Sequence, residues 1–313
     1  MPFVAGVVQI GVADALEEDL DLDVAIGRLA VRGAPLIGIA AGYGLAMATA
    51  AGEDLDRAAR VLREARPTAV NLAWAVDRVR AAARAGGAVA ARAEAERIHA
   101  DEDAASAAIA AAGADLLQSA STVLTHCNTG ALAAGGRGTA LAVILALPDV
   151  RVLATETRPL LQGARLTTWE LARAGVPHEL VVDSAAAGLI RRGAADAVIA
   201  GTDRVAANGD VANKVGTYGL ALAAHAAGIP FVIAGPVSSI DPALADGDGI
   251  EIEERGAEEV VAFGGVPAAP PGTAVRNPAF DVTPAGLVTA LVTERGVASP
   301  PSADSVAALL ARP

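Results

Sequence analysis

The chain has 313 residues, 53% of them hydrophobic and 19% charged, with a formal net charge of −12 and a pI near 4.8. It is apolar enough to bury a core and lacks the composition of a disordered segment. The acidic balance argues against nucleic acid as a partner, because that binding rests on Lys and Arg neutralising phosphates, but a small anionic ligand needs only a few local cations.

Val4 to Val12 alternates weakly and predicts a short strand. Asp23 is placed to cap a helix ending near Arg32, and Pro35 suits the first position of the next helix, which runs through Met47. Glu53 to Ala65 reads as a charged amphipathic helix ended by Pro67, Asn71 to Ala85 as another, and Ala88 to Gln118 as a long Ala-rich helix. From Ser121 onward the pattern alternates. Strands are expected at Ser121–His126, Arg151–Ala154, His178–Val182, Asp196–Ala200 and Phe231–Ala234, with a further one at Val260–Phe263. Helical patterns fill Thr139–Leu147, Ala164–Ala174, Ser184–Arg191 and Val211–Ala227, and Thr283-Pro284 opens another through Thr293. Strands separated by helices imply βαβ units on a parallel sheet. The expected organisation is a mainly helical N-terminal domain, residues 1–118, and an α/β domain, residues 119–313. Aromatics make up only 3%, so small side chains should bring helices close together.

The uncharged windows Gly33 to Gly52 and Val215 to Ile240 are diluted by glycine, proline or histidine, so neither is expected to span a membrane. The start, Met-Pro-Phe, has no basic region or cleavage pattern of a secretion signal. A single cysteine, Cys127, excludes an intrachain disulfide and fits a reducing, cytoplasmic compartment.

The chemistry concentrates at turns. The apolar run Ala197 to Ala200 is followed by Asp203, and Ser121 to His126 is followed by Cys127-Asn128-Thr129-Gly130. In open α/β sheets ligands bind outside the carboxyl ends of the strands. Taken singly, Asp203 is also a candidate helix cap and Cys127 a candidate core filler. Arg32-Gly33-Ala34-Pro35 before a helix makes either a phosphate cradle or an interhelical turn with a solvated Arg. Arg66 before Pro67 has the same two readings. Gln162, which can donate and accept, suits sugar hydroxyls, and Arg158 suits a phosphate or carboxylate; either also suits the surface. His126 beside Cys127 is disfavoured as its base, because strand neighbours point to opposite faces. No Gly-rich dinucleotide or P-loop motif is present, so no dinucleotide or nucleoside triphosphate is expected, and the histidines have no metal-type spacing.

Assembled, these stretches closely resemble the methylthioribose-1-phosphate isomerase family. They are RGAPLIG (32–38), RPTAVNL (66–72), THCNTGAL (125–132), ETRPLLQGARLTTWEL (156–171), GTDRVAANGDVANKVGT (201–217) and NPAFDVTP (277–284), in family order. The resemblance implies a Rossmann-like parallel-sheet domain with a smaller, mainly helical N-terminal domain, and a cytoplasmic homodimer. It implies an aldose–ketose isomerase of methionine salvage acting on a small sugar phosphate without a cofactor or metal. Cys127 and Asp203 then match the catalytic pair, with Asp203 partly desolvated and acting as an acid. Arg32, Gly33, Ala34, Arg66, Gln162, Asn213 and Lys214 match substrate contacts. Two features depart from the family pattern. The segment before the Arg32 turn is short, so the small domain is expected to be incomplete or mis-started; and Thr155 stands where an Asp is usual, which is expected to weaken a supporting contact or alter substrate preference. Rival readings are an isomerase of 5-deoxyribose 1-phosphate or ribose 1,5-bisphosphate, and a non-catalytic regulatory subunit on the same scaffold, against which Cys127 and Asp203 speak.

Overall fold

A computed structural model describes residues 21–66, 69–263 and 265–312. The strand expected at Val4 to Val12 and the helix-ending Pro67 lie outside them. The N-terminal part is helical: α1 (Leu22–Gly27), α2 (Ala34–Ala50), α3 (Leu55–Glu64) and α4 (Val70–Leu116). Asp54 caps α3, accepting from the Arg57 amide at 2.9 Å. α4 is broken at Gly86 and Gly87, whose dihedrals are not helical, which divides it close to where the sequence divides Asn71–Ala85 from Ala88–Gln118. A Cβ on Gly38 would stand 2.8 Å from the Asn71 carbonyl oxygen, so glycine there lets α2 approach α4 closely. α1 differs from expectation. Asp21, not Asp23, occupies its capping position, and it stops at Gly27. Leu29 takes a left-handed φ of 62°, and the amides of Ala30 and Val31 bond back to the Ala25 carbonyl, turning the chain toward Arg32.

The remainder is organised on two sheets. The strands are β1 (Thr122–Thr125), β2 (Arg151–Thr155), β3 (His178–Val181), β4 (Ala197–Ala200), β5 (Arg204–Ala206), β6 (Val211–Lys214), β7 (Phe231–Ala234), β8 (Ile240–Asp241), β9 (Ala262–Phe263), β10 (Val266–Pro267), β11 (Phe280–Thr283), β12 (Ala290–Thr293) and β13 (Gly296–Ala298). The helices between and after them are α5 (Ala131–Ala134), α6 (Ala140–Ala146), α7 (Thr168–Ala174), α8 (Ala186–Arg191), α9 (Thr217–Ala227), α10 (Glu258–Val261) and α11 (Ala303–Ala311). The main sheet runs β13-β12-β7-β4-β1-β2-β3, parallel throughout except for the β12–β13 pair. A second sheet, β11-β6-β5-β8, stands beyond β4, and β9 with β10 forms a small hairpin.

Two predicted helices are strands in part. Val211 to Lys214 is β6, buried along its length and paired antiparallel with both β5 and β11; the helix begins only at Thr217. Asn213 and Lys214 therefore sit on a strand rather than at a helix start. The segment after Thr283-Pro284 forms a short 3-10 turn and then β12, buried between β7 and β13. A strand covered on both sides loses its alternation, so its period resembles that of a buried helix. The strand expected over Val260–Phe263 shrinks to β9, preceded by the turn of helix α10.

Chain order across the main sheet decides where a ligand can bind. From β1 the chain steps outward to β2 and β3, then returns to the other flank of β1 as β4 and steps outward again to β7 and β12. Strand order reverses between β1 and β4, and at such a switch point the loops leave in opposite directions and open a crevice. Ala25, Ile37, Leu72 and Ile98 pack in one helical core, while Ile109 and Leu117, further along α4, pack against the sheet with Val123 and Val152. α4 thus bridges the helical part and the sheet. Among the described residues, no helix is long and apolar enough to cross a membrane.

Candidate active site

Cys127 and Asp203 leave β1 and β4, whose residues Thr125 and Ile199 are directly paired. Both line one cavity at the switch point. So do Arg32, Gly33, Ala34, Arg66, Gln162, Asn213 and Lys214, together with Leu29, Pro35, Asn128 and Phe280. The structure therefore brings together the pair Cys127 and Asp203 and all seven residues expected to contact substrate. The helical part supplies Leu29, Arg32 to Pro35 and Arg66; the sheet part supplies the rest.

Cys127 is buried and holds a left-handed φ of 63°. Its amide donates to Thr157 Oγ1 at 2.9 Å, and its carbonyl accepts from Thr167 Oγ1 at 2.6 Å. Thr167 ends a π-helical turn, Gly163–Thr167, that leads into α7; such turns concentrate at functional sites. A non-glycine residue in this conformation costs on the order of 1–3 kcal/mol and survives only where its surroundings enforce it.

Asp203 is anchored by its amide, which donates to the Ala212 carbonyl at 3.0 Å across to β6. Burial raises its carboxyl above the usual range; the charges of Arg66, Lys214 and Arg32 pull it down, and Glu253 pushes it up. The net direction is upward, toward the protonated acid. Lys214 is 6% exposed, and its ammonium donates to the Ala279 carbonyl at 2.8 Å. Burial lowers its pKa, opposed by Cys127 and Asp203. The Lys214 ammonium and the Arg66 guanidinium both stand over the Phe280 ring, at 5.1 and 5.6 Å.

Arg66 donates to Glu253 at 2.8 Å. Among the described residues its Nε is buried without a partner, as is Oε1 of Gln162. Both residues line the cavity. Arg32 forks onto Asn128, donating to Oδ1 at 2.8 Å and to the main-chain oxygen at 2.9 Å. Gly33 caps α2 with φ 96°, and any Cβ there would run into the Ala133 backbone. Only glycine lets this helix start abut the Cys127 loop. Asn213 is buried and donates to Thr217 Oγ1 at 2.9 Å.

His126 is not aimed at Cys127. Its Nδ1 meets Thr155 Oγ1 at 2.6 Å and its Nε2 meets the Val215 carbonyl at 2.9 Å. Arg158 is absent from the cavity wall; its guanidinium bonds the Pro159 and Val260 carbonyls and lies 5.8 Å from the Phe263 ring centre.

Sequence reasoning passed over Asn128, Glu170 and Glu253. Asn128 donates to Glu170 Oε1 at 2.8 Å, and Glu170 also accepts from the Ala131 amide, so this carboxyl sets the face that Asn128 turns to Arg32. Asn128 and Glu170 lie inside motifs already noted, and that was their signal. Glu253 lies outside those motifs.

The cavity sets a thiol and a buried carboxyl beside Arg32, Arg66 and Lys214, a set suited to a small phosphorylated polyol. Comparison with known proteins agrees. The model of the Initiation factor 2 subunit family matches residues 30–300. The methylthioribose-1-phosphate isomerase of Parasynechococcus marenigrum is 52% identical over 296 residues, covering 92% of this chain and 88% of the relative. That of Thermus thermophilus is 54% identical over 286 residues, covering 90% and 86%. Among solved structures, 5-methylthioribose 1-phosphate isomerase from Pyrococcus horikoshii superposes with a TM-score of 0.83 at 40% identity, covering 92% of this chain and 86% of that one. The translation initiation factor eIF-2B delta subunit from A. fulgidus superposes at 0.79 with 39% identity, covering 92% and 90%. The chain therefore belongs to the Initiation factor 2 subunit family, among the relatives named methylthioribose-1-phosphate isomerase.

Proposed function

We propose that this chain is an aldose–ketose isomerase converting 5-methylthioribose 1-phosphate to 5-methylthioribulose 1-phosphate in methionine salvage. The observation that carries the reading is the meeting of Cys127 and Asp203 at the β1/β4 switch point inside a cavity with Arg32, Arg66 and Lys214. A phosphate on the anomeric oxygen blocks the free aldehyde, so the ring must open before hydrogen passes between C2 and C1. Asp203, held toward its protonated form by burial, is the acid that protonates the ring oxygen. Cys127 is the partner that accepts or relays the proton. Either a proton or a hydride route needs such a pair kept from bulk water. Arg66, Lys214 and the Arg32-Gly33-Ala34 turn hold the phosphate, while Gln162 and Asn213 serve the sugar hydroxyls. In this reading the chain divides into a mainly helical N-terminal domain, 1–118, and a Rossmann-like catalytic domain, 119–313, and the enzyme works as a cytoplasmic homodimer with no cofactor.

The test is turnover of methylthioribose 1-phosphate, 5-deoxyribose 1-phosphate and ribose 1,5-bisphosphate in parallel. The expected result is conversion of the 5-methylthio sugar at the highest kcat/KM. Preference for the bisphosphate overturns the substrate, and no turnover of any of the three overturns the enzyme reading in favour of a regulatory binding protein.

A further inference from the structure

Three consecutive residues, His126, Cys127 and Asn128, are each held by a buried threonine from the β2–α7 connection or its start. Thr155 meets His126 Nδ1, and Thr157 accepts from the Cys127 amide. Thr167 donates to the Cys127 carbonyl and accepts from Asn128 Nδ2 at 3.3 Å. All three threonines are at most 2% exposed. Thr157 is itself fixed in a left-handed φ of 64°. Its amide donates to Asp183 Oδ1 at 2.8 Å and that of Arg158 to Asp183 Oδ2 at 2.6 Å.

We propose that Thr157 and Thr167 are positioning residues that hold Cys127 in its left-handed conformation, at the wall of the cavity that Asp203 also lines. The physical need is specific. At φ 63° a cysteine lies in a region that side chains with a Cβ disfavour, and without restraint the backbone relaxes to negative φ. Relaxation rotates the peptide planes on either side of Cys127, and these are the groups that the two hydroxyls grip: the amide on one side, the carbonyl on the other. A threonine hydroxyl serves both positions because it accepts and donates. Thr157 accepts from Cys127 and donates to the Thr155 carbonyl at 3.3 Å, while Thr167 donates to Cys127 and accepts from Asn128. Asp183, half-buried, acts one step behind by fixing the Thr157 turn.

This inference rests on Cys127 being the working thiol of the proposed reaction, so its test carries a readout independent of any substrate. Cys127 is the sole cysteine, and the alkylation rate of the native protein with iodoacetamide reports this residue alone. Thr157→Val and Thr167→Val keep shape and lose the hydroxyl; Thr157→Ser and Thr167→Ser keep the hydroxyl. The Val variants are expected to alkylate at least fivefold faster than wild type, and to lose about tenfold or more in kcat with KM within threefold. The Ser variants are expected to stay within threefold of wild type on both measures. Asp183→Ala removes the outer support without entering the core, and at least twofold faster alkylation is expected there even if a Val variant fails to fold. Wild-type alkylation rates in the folded Val variants, or in Asp183→Ala, overturn the proposal. So does faster alkylation with unchanged kcat. If wild type turns over none of the sugars, the functional reading fails while the alkylation comparison still decides the positioning.

Discussion

His126 Nδ1 and Thr155 Oγ1 lie 2.6 Å apart in a fully enclosed pocket, with His126 Nε2 on the Val215 carbonyl. A carbonyl only accepts, so Nε2 carries the proton. Burial lowers the imidazole pKa and keeps the ring neutral, so Nδ1 is a lone-pair acceptor and Thr155 the donor. The ring thereby straps the residue before Cys127 to the residue after Lys214, setting the spacing of two cavity groups. A carboxylate in place of Thr155 could not donate to Nδ1; it would draw a second proton onto the ring.

Nitrogen NMR of the histidines should therefore show His126 as the Nε2–H tautomer, without titration through the usual histidine range. Because its folded pKa lies below the unfolded value of roughly 6.5, the unfolded chain binds the extra proton first. Its contribution to stability is present above about pH 6.5 and is lost as the pH falls through that value toward the folded pKa. Thr155→Val strands Nδ1 and should cost about 1–3 kcal/mol by denaturant melts. A Thr155→Val protein as stable as wild type would contradict the assignment.

Asp203 offers a trade between stability and activity. Its folded pKa is raised, so the unfolded chain ionises more readily, and the group costs stability increasingly as pH climbs from about 3.9 through the folded value. Asp203→Asn removes that cost and should raise Tm at neutral pH. The same variant should lower kcat by a factor of ~10² or more, the scale of a general acid. A variant with lowered Tm and wild-type kcat would return Asp203 to a structural role.

Cys127→Ser should lose kcat on a similar scale, ~10². If acid and thiol act as a unit, as proposed, the Cys127→Ser, Asp203→Asn double variant should be barely slower than either single one. Additive losses would separate the two residues into independent functions.

Arg66→Ala and Lys214→Ala each remove a charge-assisted contact worth roughly 1.5–3 kcal/mol. KM should rise about tenfold or more with kcat less affected, since phosphate anchoring binds ground and transition states alike. The Glu253 partner of Arg66 adds a second arm. Glu253 also accepts from Arg255 at 2.7 Å, so it stays paired when Arg66 is gone, and Arg66→Ala should fold normally. Unchanged KM in both variants would put the phosphate elsewhere.

Glu102 on α4 is 8% exposed, with Oε1 buried and unpartnered among the described residues. Burial, with Glu294 and Asp101 adding to it, pushes its carboxyl up to about 8. An acid raised in this way loses stability as pH rises from its unfolded value, roughly 4.3, to about 8. Glu102→Gln should be more stable than wild type at pH 7 and should flatten the decline of Tm between pH 5 and pH 8. Parallel pH profiles for the two proteins would show that the carboxyl titrates normally.

What the sequence determined by itself is local. Asp203 follows an apolar run too short for a helix, and Cys127 follows another, so a carboxylate and a thiol at strand ends were legible from residue order. The break at Gly86-Gly87 and the turn at Gly33 were legible because glycine marks the backbone positions that other residues resist. Tertiary structure decided the rest. Val211 to Lys214 and Ala290 to Thr293 became strands because other strands pair with them along both edges, and burial of both faces, with every residue of each strand buried, erases the alternation that would betray a strand. That β4 returns beside β1, placing Asp203 next to Cys127, is a property of strand order. Glu253 reaches Arg66 from 187 positions away, and no local pattern encodes a partner at that distance. Hydrogen-bond partners such as Thr155 for His126 and Thr157 for Cys127 are likewise set by the register of β1 against β2. The residue types of the chemistry are local, but the bonds that hold each in a working posture come from segments that meet only when the sheet forms.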